Sequence, residues 1–104
     1  MPRVFFPPGA NDARYNIRSA EEHGTPVFLE KDAEVFNPQD VYDSTEAQLE
    51  RVGFDPEKDF IALTGPFIET ALVLAATLQR YPKLRILLFS AGANHYRVRS
   101  LERR

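Results

Sequence analysis

The sequence predicts one small α/β domain of three layers, in which a mostly parallel sheet lies between helices. Three observations support this fold class. Segments typical of strands alternate with segments typical of helices, which favours parallel pairing and right-handed crossovers. Residues 60–89 follow the pattern strand, turn, helix, turn, strand, which is a complete βαβ unit. The length of 104 residues is that of a single domain, so we expect one domain over 1–104.

Before the βαβ unit, the chain carries two predicted strands and two predicted helices. Each strand is a short apolar run, and the first is stopped by Pro7 and Pro8, which cannot donate to a sheet. The longer helix begins at Asn37 and Pro38, since Asn suits the N-cap and Pro the first helical position. The predicted elements are a strand over 3–6, a short helix over 17–23, a strand over 25–29 and a helix from 38 that ends at Gly53.

The βαβ unit itself predicts a central strand over 60–63, because this run is short and almost entirely apolar. Thr64 and Gly65 form the following turn, and Pro66 suits the first position of the next helix. That helix, over 67–80, has few polar positions, so we expect it to be the most buried helix.

The last two predicted strands form a hairpin. A strand over 84–89 is followed by a short turn over 91–94 and a strand over 95–101, which the short connection makes antiparallel. We expect the strand order 2-1-3-4, with strand 5 beside strand 4. Arg97 and Arg99 share one face of strand 5, and charges on an edge strand discourage pairing with other chains.

Composition excludes several classes of function. The net charge of −2 gives no general attraction to nucleic acid or to an anionic membrane. The absence of cysteine excludes disulfides, thiolate metal sites and a thiol nucleophile. No apolar stretch approaches the ~20 residues of a membrane span, and the N-terminal residues do not resemble a signal peptide. We expect a cytoplasmic protein with no membrane partner.

Part of the chain resembles a known group of proteins. The run Asp-Phe-Ile-Ala-Leu-Thr-Gly-Pro over 59–66, the Ala/Leu-rich helix, the strand over 84–89 and the Tyr-Arg-Val-Arg run over 96–99 carry the likeness. They resemble short uncharacterised α/β proteins of phages and prokaryotes, over about half of the chain, from 54 to 101. The resemblance implies the fold and a viral or mobile-element origin. It implies no functional residues.

One candidate ligand site lies where the order of the strands reverses. In the predicted order, this point lies between strands 1 and 3, and ligands of open α/β sheets bind there, beyond the carboxyl ends of the strands. A helix N-terminus beside it favours an anion, such as a phosphate or nucleotide. The alternative is that the two loops that meet there, over 8–16 and 64–66, are only structural turns, since no phosphate-binding fingerprint is present. The candidate residues are Gly9, Asn11, Asp12, Arg14, Tyr15, Thr64 and Gly65.

Other chemistry-bearing residues have structural explanations that we prefer. Glu69 could act as a general base, but an acidic residue in the first turn of a helix also interacts favourably with the helix dipole. Ser90 and His95 could meet across the hairpin, but no acid is placed to orient them. The arginines over 97–104 could contact phosphates, but they also suit a solvated edge strand. We therefore predict no catalytic residue, no metal site and no cofactor, and we do not expect binding of nucleic acid.

Two functions stay open. We favour a small non-enzymatic binding protein that acts through a protein partner or as a homo-oligomer, with a phage origin implied by the resemblance. The alternative is a module that binds a small anionic ligand, a nucleotide or a phosphate, at the carboxyl ends of the strands.

Overall fold

The structure, a computed structural model, describes all residues from Met1 to Arg104. It contains five strands, two α-helices and one short 3₁₀-helix. In chain order these are β1 (Arg3–Phe6), the 3₁₀-helix (Arg18–Glu22), β2 (Thr25–Phe28), α1 (Pro38–Val52), β3 (Phe60–Ala62), α2 (Phe67–Arg80), β4 (Lys83–Ser90) and β5 (His95–Glu102).

The five strands form one sheet in the order β2-β1-β3-β4-β5, so the predicted strand order is confirmed. The first four strands are parallel, and β5 pairs antiparallel with β4 along its whole length, from Lys83 opposite Glu102 to Ser90 opposite His95. All three residues of the central strand β3 are buried, as expected for a strand covered on both faces.

The sheet has a different cover on each face. Phe5, Ile61 and Ile86 point toward α1 and α2 and form one core cluster with residues of both helices. Phe6, Phe60 and Leu87 point to the opposite face. That face is covered by the segment that holds the 3₁₀-helix, which supplies buried Ala20 and half-buried Ile17. Both α-helices therefore lie on one face, and the third layer of the fold is this mostly irregular segment.

Sequence signals placed the ends of both α-helices to within about one residue. Helix α1 begins at Pro38 and ends at Gly53, which has the left-handed φ of 69° typical of a glycine after a helix. Pro66 is the residue before α2 and not its first residue, because its ψ of 142° is extended. Asn37 is the N-cap residue of α1, as predicted, although its side chain makes no capping hydrogen bond.

Helix α2 is not the most buried helix, which corrects the prediction from its composition. Its only buried residues are Val73, Ala76 and Thr77, whereas α1 buries four residues. Phe67, at the start of α2, is 79% exposed. The apolar side chains of α2 thus extend well beyond the side that packs on the sheet. Neither α-helix is long and apolar enough to cross a lipid bilayer.

Candidate functional site

The crevice between the carboxyl ends of β1 and β3 is filled by the protein itself. A Cβ on Gly9 would lie 2.9 Å from the Pro66 ring, and a Cβ on Gly65 would lie 2.9 Å from the Pro7 ring and 3.2 Å from the Ala10 Cβ. The loop after β1 and the loop after β3 therefore pack directly against each other at the point where the strand order reverses. No room is left there for a ligand between them.

An open cleft of about 450 Å³ lies beside this contact, toward β4 and β5. It brings together four of the seven candidate residues, namely Arg14, Tyr15, Thr64 and Gly65. Its volume is within the range of small-molecule sites, about 300–1,000 Å³. The remaining lining residues, Asn16, Leu63, Phe89 and Asn94, were not recognised from the sequence as site residues.

Strand β5 holds the loop that forms one wall of this cleft. The buried Tyr96 hydroxyl donates a hydrogen bond of 2.9 Å to the Asn16 carbonyl oxygen. The Asn16 side chain donates to the Asn94 side chain at 3.1 Å and accepts from the Ser19 backbone N–H at 3.2 Å. Burial raises the pKa of Tyr96 above its usual value. Tyr96 is thus a structural anchor for this loop.

The charge of Arg14 is already partly matched within its own loop. Its Nε lies 3.1 Å from Asp12 Oδ1, and its backbone N–H donates to the same oxygen at 2.9 Å. These bonds, the backbone one first, lower the pKa of Asp12, and the same carboxylate raises the pKa of Arg14. The guanidinium carbon also lies 5.5 Å from the centre of the Tyr15 ring. Both groups are exposed, so an anion in the cleft would compete with Asp12 for Arg14 at little cost.

The other candidate residues lie elsewhere. Asn11 and Asp12 line a wider surface depression on the other side of the loop, which Arg14 and Tyr15 also line, next to Arg18 and Phe28. Gly9 packs on Pro66 and lines neither surface.

The candidate catalytic groups are not assembled into a site. Glu69 lines a separate cavity of about 10 Å³ with Asp32 and Ser44, away from the cleft. Ser90 and His95 are ladder partners, but the His95 ring bonds to the Ala93 carbonyl oxygen instead. No three His, Asp or Glu side chains are grouped closely enough to hold a metal ion.

A second surface, which sequence reasoning missed, lies on α2. We call it the α2 apolar surface and define it as Phe67, Ile68, Ala71 and Ala75, all exposed. The signal was present in the sequence, since almost no polar side chain interrupts this side of the helix. The apolar character of α2 predicts burial within the domain, because sequence alone does not show how many helices cover the sheet.

The sheet beside the α2 apolar surface is also uncovered at one end. Ala62 pairs with Leu87, so the next residues, Leu63 and Leu88, lie side by side on the helix face. Leu88 is 39% exposed, and its partner on β5 is the exposed Arg97. A shallow depression of about 320 Å³ runs between Leu63 and α2, lined on the helix by Phe67, Ala71 and Leu74 among others.

Comparisons with known proteins gave no relative for this chain: no family model, no curated protein and no solved structure matches it. The fold and the two surfaces are therefore interpreted from their own geometry.

Proposed function

We propose that this chain is a non-enzymatic binding protein that acts through a protein partner docked on the α2 apolar surface. The observation that carries the proposal is the 79% exposure of Phe67, with exposed Ile68, Ala71 and Ala75 on the same side of the helix. A helix that is apolar on more than its core side is usually covered. Contiguous exposed apolar surface of this kind marks interaction sites in proteins.

The arrangement of groups supports binding more than catalysis. The polar groups of the cleft include no nucleophile held by a base, and Glu69 points to a different cavity. As part of the proposal, the protein acts in the cytoplasm, which fits a chain without cysteine. A phage origin stays a prediction from the resemblance.

The test is capture from the cell of origin with matched surface variants. Phe67→Ser removes the most exposed ring of the α2 apolar surface, and Val98→Ser removes an apolar side chain, 37% exposed, from the opposite face of the sheet. We expect a protein that is retained by the wild type and by Val98→Ser and is lost with Phe67→Ser. Sedimentation of the purified chain distinguishes a foreign partner from a second copy. A monomer that captures the same proteins in all three forms contradicts the proposal.

The cleft favours a second candidate function, the binding of a small anion such as a nucleotide or phosphate. Its supporting observation is the convergence of Arg14, Tyr15, Thr64 and Gly65 on one opening. Thermal denaturation with added nucleotides or inorganic phosphate tests it. We expect a ligand that raises the melting temperature of the wild type and of Arg18→Ala, whose side chain lines the other depression, but not that of Arg14→Ala or Tyr15→Ala. No stabilisation by any of these anions contradicts it.

A further inference from the structure

The uncovered end of the sheet and the side of α2 above it form one groove, which we call the α2–β5 groove. Its helix wall consists of Phe67, Ala71 and Leu74. Its floor consists of Leu88 of β4 and of Leu63, the residue after β3, which lie side by side on the helix face of the sheet. Its far side is formed by Arg97 and Arg99 of β5, which alternate with Val98 and so share the helix face of the sheet.

The position of α2 explains why the groove is open. The side of α2 that carries Glu69, Val73 and Arg80 faces α1, since Glu69 shares a cavity with Ser44 and Arg80 pairs with Glu50 of α1 at 3.6 Å. The opposite side of α2 therefore has no helix beside it. Two strands are about 10 Å wide, which is close to the diameter of one helix. The space over β4 and β5 near Leu88 is thus suited to one more helix.

We propose that the α2–β5 groove binds an amphipathic helix of a partner protein, one that carries acidic side chains along one flank of its apolar stripe. The inference rests on the proposed function and names the chemistry of the partner. It depends on two features of the groove, which are the spacing of its apolar wall and the sign of its charge.

The apolar wall has the spacing that a helix recognises. Phe67, Ala71 and Leu74 follow one another at intervals of four and three residues, so they form a continuous ridge along α2. Ala71 and Ala75 lack bulk, which lets another helix approach closely. An extended strand added to the edge of β5 would leave Phe67 exposed, so edge pairing does not explain this wall.

The charge of the groove is positive and unmatched. Arg97 and Arg99 are exposed, and no carboxylate lies within 4.0 Å of either guanidinium. The residues that define the groove include no acidic side chain. A helix bound with its apolar side toward Leu88 would bring one flank to these arginines, and carboxylates on that flank would pair with them.

A second copy of this chain fits the groove less well. A symmetric contact places the same patch of both copies together, and this patch offers arginines without carboxylates. Helix α1 is acidic on its exposed side, but its apolar residues Val41 and Leu49 are buried in its own core. It therefore has no apolar stripe to place in the groove of another copy.

The experiment uses two labelled helical peptides, each about 18 residues long so that helix formation is feasible. Both carry leucines on one stripe, and they differ only in having glutamates or lysines on the flanks. Binding to the full chain is followed by fluorescence anisotropy. We expect the acidic peptide to bind about tenfold more tightly than the basic one at low salt, with the difference shrinking as salt is added.

Variants of the full chain assign this preference to the groove. The double variant Arg97→Glu/Arg99→Glu should reverse it, because both side chains are exposed and their charge is inverted without disturbing the core. Arg51→Glu, an exposed charge reversal at the end of α1, should leave it unchanged. Phe67→Ser should weaken both peptides by a similar factor.

Each other outcome overturns the inference in a distinguishable way. Binding that depends on Phe67 but shows no charge preference removes the acidic partner and leaves the proposed function standing. Binding that is unchanged by Phe67→Ser contradicts both the acidic partner and the proposed function. A dimer of the wild type that excludes the peptides and is lost in Phe67→Ser assigns the groove to a second copy. Displacement of the acidic peptide by a single-stranded oligonucleotide, through the same arginines, assigns the groove to nucleic acid.

Discussion

At the scale of single residues, Asp59 joins two distant parts of the chain. Its buried carboxylate accepts hydrogen bonds from the backbone N–H of Arg3 at 3.0 Å, from the Arg3 guanidinium at 2.9 Å and from the Asp55 N–H at 2.9 Å. Burial by itself would raise the pKa of Asp59, but these bonds outweigh it, so the pKa lies below its usual value. The start of β1 is thereby fixed to the turn before β3.

We predict that Asp59→Asn lowers the free energy of unfolding at pH 7 by about 2 kcal/mol, because bonds to a charged acceptor are lost in a buried place. The depressed pKa also predicts a pH dependence. The unfolded chain binds this proton more readily, so the stabilisation is complete well above about pH 4 and is lost as the pH falls below that value. Urea denaturation from pH 7 to pH 3 measures both effects. An equal decline of the wild type and of Asp59→Asn with acid would contradict the assignment.

Gly65 is the residue that allows the loops after β1 and β3 to touch. Its φ of 151° is one that residues with a side chain rarely adopt, and an added Cβ would overlap the Pro7 ring. We predict that Gly65→Ala costs about 3 kcal/mol, the sum of backbone strain and overpacking. Gly92→Ala is the control, since an added Cβ there meets nothing within 4 Å. Thermal denaturation of both variants measures the difference, and equal stability would refute the role of this contact.

At the scale of elements, Gln48 shows how α1 holds the connector after β2. It is buried, and its side chain accepts a hydrogen bond from the Glu30 N–H at 2.7 Å and donates one to the Glu30 carbonyl at 2.9 Å. The side chain therefore replaces the partners that a further strand residue would have found in the sheet.

We predict that Gln48→Ala destabilises the protein by about 2 kcal/mol, because both backbone groups of Glu30 lose their partner in a partly buried place. Gln39→Ala, on the exposed side of the same helix, should change stability by less than about 0.5 kcal/mol. Chemical denaturation gives the free energies, and amide exchange at Glu30 should be faster only in Gln48→Ala. Unchanged exchange at Glu30 would show that the connector is held by other contacts.

The elements also show how far sequence reasoning reaches. The alternation of strands and helices indicated parallel pairing, and the short turn before β5 indicated an antiparallel strand. Both are local signals, but neither dictates the order β2-β1-β3-β4-β5 that the sheet adopts. Buried Val41 and Leu49 are apolar and share one face of α1, whereas buried Gln48 is polar, and a polar residue gives no sign of burial in the sequence. Its role depends on a partner eighteen positions away in the chain, which no local pattern encodes.

The candidate site was predicted only in part for the same reason. The rule that ligands of open α/β sheets bind where the strand order reverses placed Thr64 and Gly65 near the loop of Arg14 and Tyr15. These four residues do line one cleft. The rule gave no side-chain volumes, so it did not indicate that Pro7, Ala10 and Pro66 fill the crevice itself. Phe89 and Asn94 line the cleft because the hairpin of β4 and β5 packs near this loop. That contact joins residues far apart in the chain, so no local sequence pattern indicates it.

At the scale of the whole molecule, the apolar residues divide into those that hold the fold and those that do not. Val73 of α2 is 1% exposed and belongs to the core cluster beneath the helices, whereas Phe67 of the same helix is 79% exposed. Val73 and Phe67 have the same helical backbone conformation, so the main difference between the two positions is the burial of the side chain. Comparing their substitution by alanine therefore isolates the contribution of burial.

We predict that Val73→Ala lowers the free energy of unfolding by about 2 kcal/mol, from lost burial and the cavity that remains. Phe67→Ala should change it by less than about 0.5 kcal/mol, since little of the ring is removed from water in the isolated chain. Urea denaturation of a dilute monomer measures both. A large loss in Phe67→Ala would mean that the ring supports the fold and would remove the main reason to regard it as a contact for another protein. A small loss means that the fold does not require the large apolar ring at this position, as the proposed contact with another protein expects.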